Sequence, residues 1–286
     1  MPELPEVETV RRGLSRAIEG ATIVGARVIV RKMVKGGSVS VDPLAQTLQG
    51  LKITGVERRG KYLILRLDNG YYVLLHLKMR GQIVLVPANR PDAKYLAVAL
   101  LLDGVRPVTE CPAHVLYELR FHDVWTWGEL RVASALEFSS LESLKEMGAE
   151  PLSEAWTSES FRLALARRGR SPVKAVLLNQ KVLAGVGNIY ADESLFRSGI
   201  RPNRPAASLT ESETDRLWRE IRRVLSEATD LGGTRSLIYA DVEGRPGRYE
   251  PRVYDRGGKP CVTCGTLLDR TRIAGRGSVF CSSCQS

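Results

Sequence analysis

The chain has 286 residues, 43% of them hydrophobic, and a net charge of +10. That length can bury a sizeable core and predicts two domains, while the positive charge points to a polyanion, nucleic acid first and an anionic membrane surface second. No cationic, apolar leader opens the chain and its longest apolar run, Leu96 to Leu102, is too short to cross a bilayer, so the expectation is a cytosolic chain.

The first eight residues, Met1-Pro2-Glu3-Leu4-Pro5-Glu6-Val7-Glu8, admit two readings. One is a helix start, because proline suits the first turn and the glutamates suit the positive end of the helix dipole. The other is chemical. Removal of Met1 leaves Pro2 as an N-terminal secondary amine. Ordinary α-amino groups have a pKa of about 7.7–8.0, so part of the population is unprotonated near neutral pH. Such an amine can attack a sugar carbon and form an iminium. Glu3, beside it, can act as general acid or base.

Val7, Val10, Leu14, Ala17 and Ile18 follow helical spacing, with Gly20 as the stop. Residues 21–30 are strand-like. Lys61 to Leu67 and Tyr71 to Leu77 flank Asp68-Asn69-Gly70, a strong hairpin signal. Arg58-Arg59-Gly60-Lys61-Tyr62 is a basic corner at its start, or simply a solvated charge run. Gln82 to Val86, Lys94 to Leu102, Leu116 to Phe121 and Glu129 to Ala133 read as further strands. This half is therefore a β-sandwich or barrel with a leading helix.

Composition shifts near Ser134. Leu141 to Met147 reads as a short helix and Gly148 to Thr157 as linker. Phe161 to Arg167 and Val173 to Leu178 are helical. Thr210-Glu-Ser-Glu213 is a capping box opening a helix with Leu217, Ile221, Val224, Leu225 and Ala228 on one face. Leu231-Gly232-Gly233 ends it. Between these helices, Gly185-Val-Gly187-Asn188 reads as helix, glycine turn, helix, with the second helix aiming its first amides and Asn188 at a phosphate.

Cys261 and Cys264 are separated by two residues, as are Cys281 and Cys284, and sixteen residues lie between the pairs. This is the spacing for four thiolates on one tetrahedral structural zinc rather than for a disulfide framework. Between the pairs, Ala274-Gly275-Arg276-Gly277 displays an arginine suited to phosphate. His76, His114 and His122 have no ligand spacing with one another.

These motifs occur together and in order, and through them the chain resembles the formamidopyrimidine-DNA glycosylase and endonuclease VIII family from Pro2 to Gln285. The resemblance implies an α+β multidomain protein: an N-terminal β-sandwich with a leading helix, a helix–two-turn–helix domain and a four-cysteine zinc finger. It implies Pro2 as nucleophile at the sugar C1′, Glu3 as acid/base, Lys61 in β-elimination and Arg276 in δ-elimination and phosphate binding. Lys174 and Asn188 match residues that grip the DNA backbone. Met79 matches a side chain that fills the gap left by the extruded base.

The sequence departs from the family pattern at Asp123-Val-Trp-Thr-Trp-Gly128. Trp127 replaces a phenylalanine wedge, and Trp125 stands where an arginine normally bonds the unpaired cytosine. If this segment is extended, both indoles share one face and Thr126 points away. The expected result is a wedge that stacks on any base and reads the opposite base weakly. Tyr95 stands where a DNA-contacting histidine is frequent, and an insertion runs from about Val105 to Val115, including Cys111.

The expectation is a monomeric DNA glycosylase/AP lyase, nucleoid-associated in a bacterium-like cell, acting on damaged double-stranded DNA with one structural zinc and no organic cofactor. Oxidised purines such as 8-oxoguanine and formamidopyrimidines are the leading substrates, and oxidised pyrimidines or another lesion the alternative. A catalytically silent, zinc-stabilised DNA-binding protein is the rival from another class. The expected division is 1–134 for the catalytic β-sandwich, 135–233 for linker and helix–two-turn–helix, and 234–286 for a Gly/Arg-rich loop and the finger.

Overall fold

The computed structural model describes residues 1–36, 41–106, 115–235 and 239–286. Cys111, His114 and most of the apparent insertion lie outside the described residues. The chain divides into two compact units, Met1–Lys145 with Arg235–Gly247, and Glu146–Thr234 with Arg248–Ser286. No helix among the described residues is long and apolar enough to cross a membrane.

The first unit opens with α1 (Leu4–Ile18), whose Val7, Val10, Leu14, Ala17 and Ile18 are all buried. Then come β1 (Thr22–Val28), α2 (Leu44–Leu48), β2 (Ile53–Arg59), β3 (Tyr62–Leu67), β4 (Tyr72–His76), β5 (Gly81–Pro87), β6 (Leu96–Asp103), β7 (Tyr117–Asp123), β8 (Glu129–Ala133), α3 (Ala135–Ser140) and α4 (Glu142–Lys145). The strands form two antiparallel sheets, ordered β1-β6-β7-β5 and β2-β3-β4-β8. Inward residues such as Leu63, Leu65, Val98, Leu100, Leu119 and Val132 share one core with α1. This is the expected sandwich with a leading helix. The returning segment at 239–242 belongs to it too: the Val242 carbonyl accepts from Leu85 N–H at 2.8 Å, and the Val242 side chain lies where a Cβ on Gly13 would stand.

Besides α3, which precedes the expected helix at Leu141 to Met147, two elements here were not foreseen. Strand β2 carries Glu57, Arg58 and Arg59, which break its apolar alternation, and α2 is too short to show a period. Conversely, β6 begins at Leu96 rather than at the expected Lys94, because Tyr95 adopts φ 67° and cannot continue a ladder.

The second unit contains α5 (Ser158–Ala166), α6 (Val173–Leu178), α7 (Asn188–Arg197), α8 (Glu211–Asp230) and the hairpin β9 (Asp269–Ile273) and β10 (Arg276–Phe280). The capping box of α8 forms as expected, with Thr210 and Glu213 bonding reciprocally, and its five apolar residues are fully buried. The stretch 148–157 is not free linker. Gly148 N–H donates to Gln180 O at 2.8 Å, and buried Trp156 packs against Phe161 and Trp218. Its indole outweighs the turn-forming residues around it.

Glu193 of α7 is completely buried. It accepts from Arg252 N–H and Val253 N–H at 2.8 Å, Tyr254 N–H at 3.0 Å and the Tyr249 hydroxyl at 3.1 Å. Four donors thus converge on one carboxylate and tie segment 249–254 to α7. Glu193→Gln places an amide N–H₂ against backbone donors. An unmet buried group costs about 1–3 kcal/mol, so the variant should lose at least about 2 kcal/mol in urea unfolding and lose amide-exchange protection at 252–254. Unchanged protection would mean another contact holds this segment.

Candidate functional site

Glu3 is the N-cap of α1 and Glu6 its third residue. Each side chain reaches the other's backbone, with Glu6 Oε2 accepting from Glu3 N–H at 2.8 Å. Pro5 lies in the first turn, where its missing N–H removes no helical bond. Pro2 is buried, and Glu3 and Glu6 are each 2% exposed. Two carboxylates are therefore held out of water beside the chain terminus, with the helix amides as partners.

The Met1 amine feels this environment directly. Burial pushes its pKa below the ordinary value, Glu3 and Glu6 pull it back up, and Lys61 and Arg80 lower it again by repulsion. Lys61 is itself buried. It follows Gly60, which takes φ 55° at the first central position of the two-residue turn joining Arg59 to Tyr62. That is the position where a type II′ hairpin turn requires glycine. The basic corner is consequently not a solvated run. Arg58 pairs with Glu8 at 3.1 Å and donates to Gly60 O at 3.0 Å, bracing the turn that presents Lys61. Nearby His76 is pushed down to about 3, first by burial and then by Lys78 and Lys61. Neutral, its Nδ1 accepts from Lys78 N–H at 3.0 Å.

Between β4 and β5, Gly81 N–H closes a tight loop by donating to Leu77 O at 2.9 Å. Met79 and Arg80 ride on it. Any Cβ on Gly81 would collide with the Leu77 carbonyl, so glycine is required. The segment after β7 is not extended, contrary to expectation. Thr126 takes φ 55°, and buried Asp123 accepts from Trp125 N–H at 2.9 Å and Gly128 N–H at 2.5 Å. The carboxylate satisfies two turn amides that a strand would leave to a neighbour. Trp125 and Trp127 nevertheless meet, with ring centroids 4.8 Å apart. Both are exposed, at 39% and 56%. Tyr95 is exposed beneath the Lys94 ammonium.

In the second unit, the α6–α7 turn is stapled by Gln180. Its Oε1 accepts from Gly185 N–H at 2.9 Å and its Nε2 donates to Leu178 O and Val186 O. Gly185 takes φ 83°. Asn188, first residue of α7, donates to Gly277 O at 2.9 Å. Lys174 donates to the same carbonyl at 2.9 Å and pairs with Asp192 at 2.7 Å. The expectation that Lys174 grips DNA directly is corrected here, since its side chain is 0% exposed. An ammonium so placed fixes the β9–β10 hairpin instead. Asp192 also accepts from the Ser278 hydroxyl and Val279 N–H. Burial raises the Asp192 carboxyl, and Lys174, Ser278 and Val279 pull it down. At the hairpin tip, Ala274 and Gly275 take φ 48° and 74°, and Arg276 is exposed.

The four cysteine sulfurs lie within 4.8 Å of one another. Cys261 and Cys284 Sγ are 3.9 Å apart, and Cys264 and Cys281 Sγ 3.5 Å. Zinc–sulfur bonds of about 2.3 Å in a tetrahedron require sulfurs about 3.8 Å apart. The set fits one zinc, with no coordination position left for substrate. Because thiolate ligation is coupled to local folding, Cys264→Ser should release the zinc and loosen the hairpin while the sandwich keeps its fold. Elemental analysis and far-UV melting check this, and a wild-type protein without zinc would refute the assignment.

Asp192, Glu193, Gln180, Asp123 and Arg80 were not singled out from sequence. Buried carboxylates inside a helix read there as ordinary polar-face residues.

Three family models match: the formamidopyrimidine-DNA glycosylase N-terminal domain over residues 1–130, its H2TH domain over 147–239, and the zinc finger found in FPG and IleRS over 258–286. A formamidopyrimidine-DNA glycosylase of Pelotomaculum thermopropionicum is 38% identical, covering 100% of this chain and 99% of the relative. The Lactococcus lactis Fpg in complex with DNA containing an abasic site matches with TM-score 0.86 and 31% identity, covering 99% of both chains. The wild-type Lactococcus lactis Fpg (MutM) with DNA containing an oxidized pyrimidine matches with TM-score 0.86 and 32% identity, covering 100% of both. With all three domains matched in order along its length, the chain belongs to the formamidopyrimidine-DNA glycosylase family.

Proposed function

We propose that this protein excises oxidised bases from damaged duplex DNA and then cleaves the strand, using Pro2 as nucleophile. The observation that carries this reading is the burial of Pro2 and Glu3 beside Glu6 and Lys61. Mere DNA binding needs no amine held out of water between acids and a lysine. After Met1 is removed, the Pro2 nitrogen attacks C1′ and the glycosidic bond breaks; the base leaves with the electron pair and takes up the proton that the Pro2 nitrogen gives up. Glu3 supplies the proton that opens the sugar ring, leaving an iminium between nitrogen and C1′. Having no N–H to lose, that iminium stays cationic and acts as an electron sink. Removal of a C2′ proton then expels the 3′ phosphate, the step assigned to Lys61. Loss of the 5′ phosphate follows, with Arg276 on the departing group.

Asn188 and Arg276 hold backbone phosphate, and Lys174 acts through Gly277. Met79, Trp125 and Trp127 fill the space left by the extruded base, since aromatic and apolar wedges replace lost stacking, and Tyr95 lies along the same DNA. The expected division at 1–134, 135–233 and 234–286 assigns chemistry, backbone grip and metal-braced hairpin to separate parts, except that Arg235–Gly247 groups with the sandwich unit. Oxidised purines lead as substrates. A relative's complex with an oxidized pyrimidine supports a wider lesion range. A cytoplasmic, nucleoid-associated setting suits such work.

Borohydride trapping on abasic DNA tests the nucleophile. Mature protein should trap, Pro2→Gly should trap weakly, and protein retaining Met1 or an uncleaved tag should not trap. Because only the unprotonated amine attacks, trapping should rise with pH as the terminal amine loses its proton. Equal trapping by tagged protein would move the nucleophile to Lys61.

Phosphate contacts release counterions, so log affinity should fall linearly with log salt. Arg276→Ala should lower that slope by about one unit. An unchanged slope with unchanged affinity would remove Arg276 from the phosphate contacts.

A further inference from the structure

Trp125 occupies the family's base-reading position without a cation of its own. The register of the sandwich supplies one. Strand β5 pairs with β7 so that Gly81 faces Asp123. Arg80, one residue before Gly81, is thereby brought to the segment that follows Asp123. Its guanidinium carbon lies 5.0 Å from the centre of the Trp125 ring. A guanidinium over an indole is held by cation–π attraction, which leaves its in-plane N–H groups facing outward. Among the described residues Arg80 has no hydrogen-bond acceptor and no ion-pair partner. Every other feature of the pair is fixed. Asp123 locks the turn carrying Trp125, the Gly81–Leu77 bond locks the loop carrying Arg80, and Trp127 packs against Trp125. A rigid cation with unspent donors on an exposed aromatic face is a reader awaiting a planar ligand with acceptors.

We propose that Arg80, mounted on Trp125, reads the base left unpaired opposite the damaged nucleotide. The inference rests on the glycosylase function proposed above, which creates such a base in every turnover. A guanidinium edge offers two parallel donors and matches two adjacent acceptors. Cytosine presents N3 and O2, and guanine presents O6 and N7. Adenine has no two adjacent acceptors on its pairing edge, and thymine's two are separated by an N–H. The wedge therefore favours cytosine and guanine over adenine and thymine. The reading expected from Trp125 alone, stacking with weak selectivity, is replaced by selectivity supplied from the neighbouring loop. Arg80 also bears on the terminal amine by charge repulsion, which places the reader close to the chemistry it would gate.

The test is single-turnover excision of 8-oxoguanine opposite each of the four bases, by wild type, Arg80→Ala, Arg80→Lys and Trp125→Ala. The ratio of the rates opposite cytosine and adenine is the readout, because misfolding or a general loss of rate cancels from it. Arg80→Ala should lower the ratio by about 5- to 150-fold, the span of a good bidentate base contact. Arg80→Lys keeps the charge but loses the fork, so it should lower the ratio similarly. Trp125→Ala, which removes the platform, should do so too. A ratio unmoved in Arg80→Ala overturns the inference. So does a ratio unmoved with a salt slope lowered by about one unit, which would make Arg80 a phosphate contact. A change confined to the choice between 8-oxoguanine and dihydrouracil, both opposite cytosine, would likewise overturn it by placing Arg80 at the extruded base. Failure of wild type to excise or to trap abasic DNA would instead sink the glycosylase reading itself.

Discussion

The first unit depends on keeping two acids and an amine out of water at one chain end. Buried carboxylates are costly unless bonded. The start of a helix is among the few places in a protein where several N–H groups stand unpaired. The capping box between Glu3 and Glu6 uses that supply. It also fixes the terminus against the sandwich, since α1 is anchored by fully buried Leu4, Leu14 and Ile18. Tyr239 contributes from the returning segment by donating to Glu6 O at 3.3 Å. The ordinary reading of the opening residues, a helix start, and the chemical one are therefore the same structure. The helix start makes the acids affordable in a dry site.

The second unit solves a related problem with consecutive acids. Asp192 and Glu193 point from α7 into different neighbours. Asp192 takes Lys174 and the β10 strand, while Glu193 takes segment 249–254. A buried pair such as Lys174–Asp192 adds little net stability, yet breaking it leaves an uncompensated charge. Its use here is geometric. Lys174 and Asn188 converge on one carbonyl, Gly277 O, next to Arg276. The exposed arginine thus sits on a hairpin held by metal ligands at its base and by charged side chains at its side, which reduces the entropy lost when it meets a phosphate.

Much of this was legible in the sequence, for physical reasons. Periodicity located α1, the β3–β4 hairpin and, in the second unit, α8, because each turns its apolar residues into a core of its own unit. The cysteine spacing gave the metal site because tetrahedral ligation tolerates few spacings. What escaped was long-range pairing. Nothing local marks Glu193 as the acceptor of four donors, or Arg58 as the brace of the Lys61 turn rather than a solvated charge. The Trp125–Trp127 pair was expected from an extended segment and arises instead from a turn. Two residues apart place side chains together in either geometry, so the local pattern could not tell them apart.

The Arg80–Trp125 pair shows why register carries so much of the chemistry. Side chains alternate across a sheet with a period of two, so a one-residue slip turns every core residue outward. The β5–β7 register is pinned by Ile83, Leu119 and Phe121, all buried. The loops at that end of the sheet inherit this precision without any bond between them. Evolution of a base reader then does not require arginine at one fixed position. It requires a cation on either of two loops that the core already holds face to face, and an aromatic on the other to carry it. An arginine at position 125 would need no platform. A tryptophan there needs a donor from the opposing loop, and position 80 is where the register delivers one.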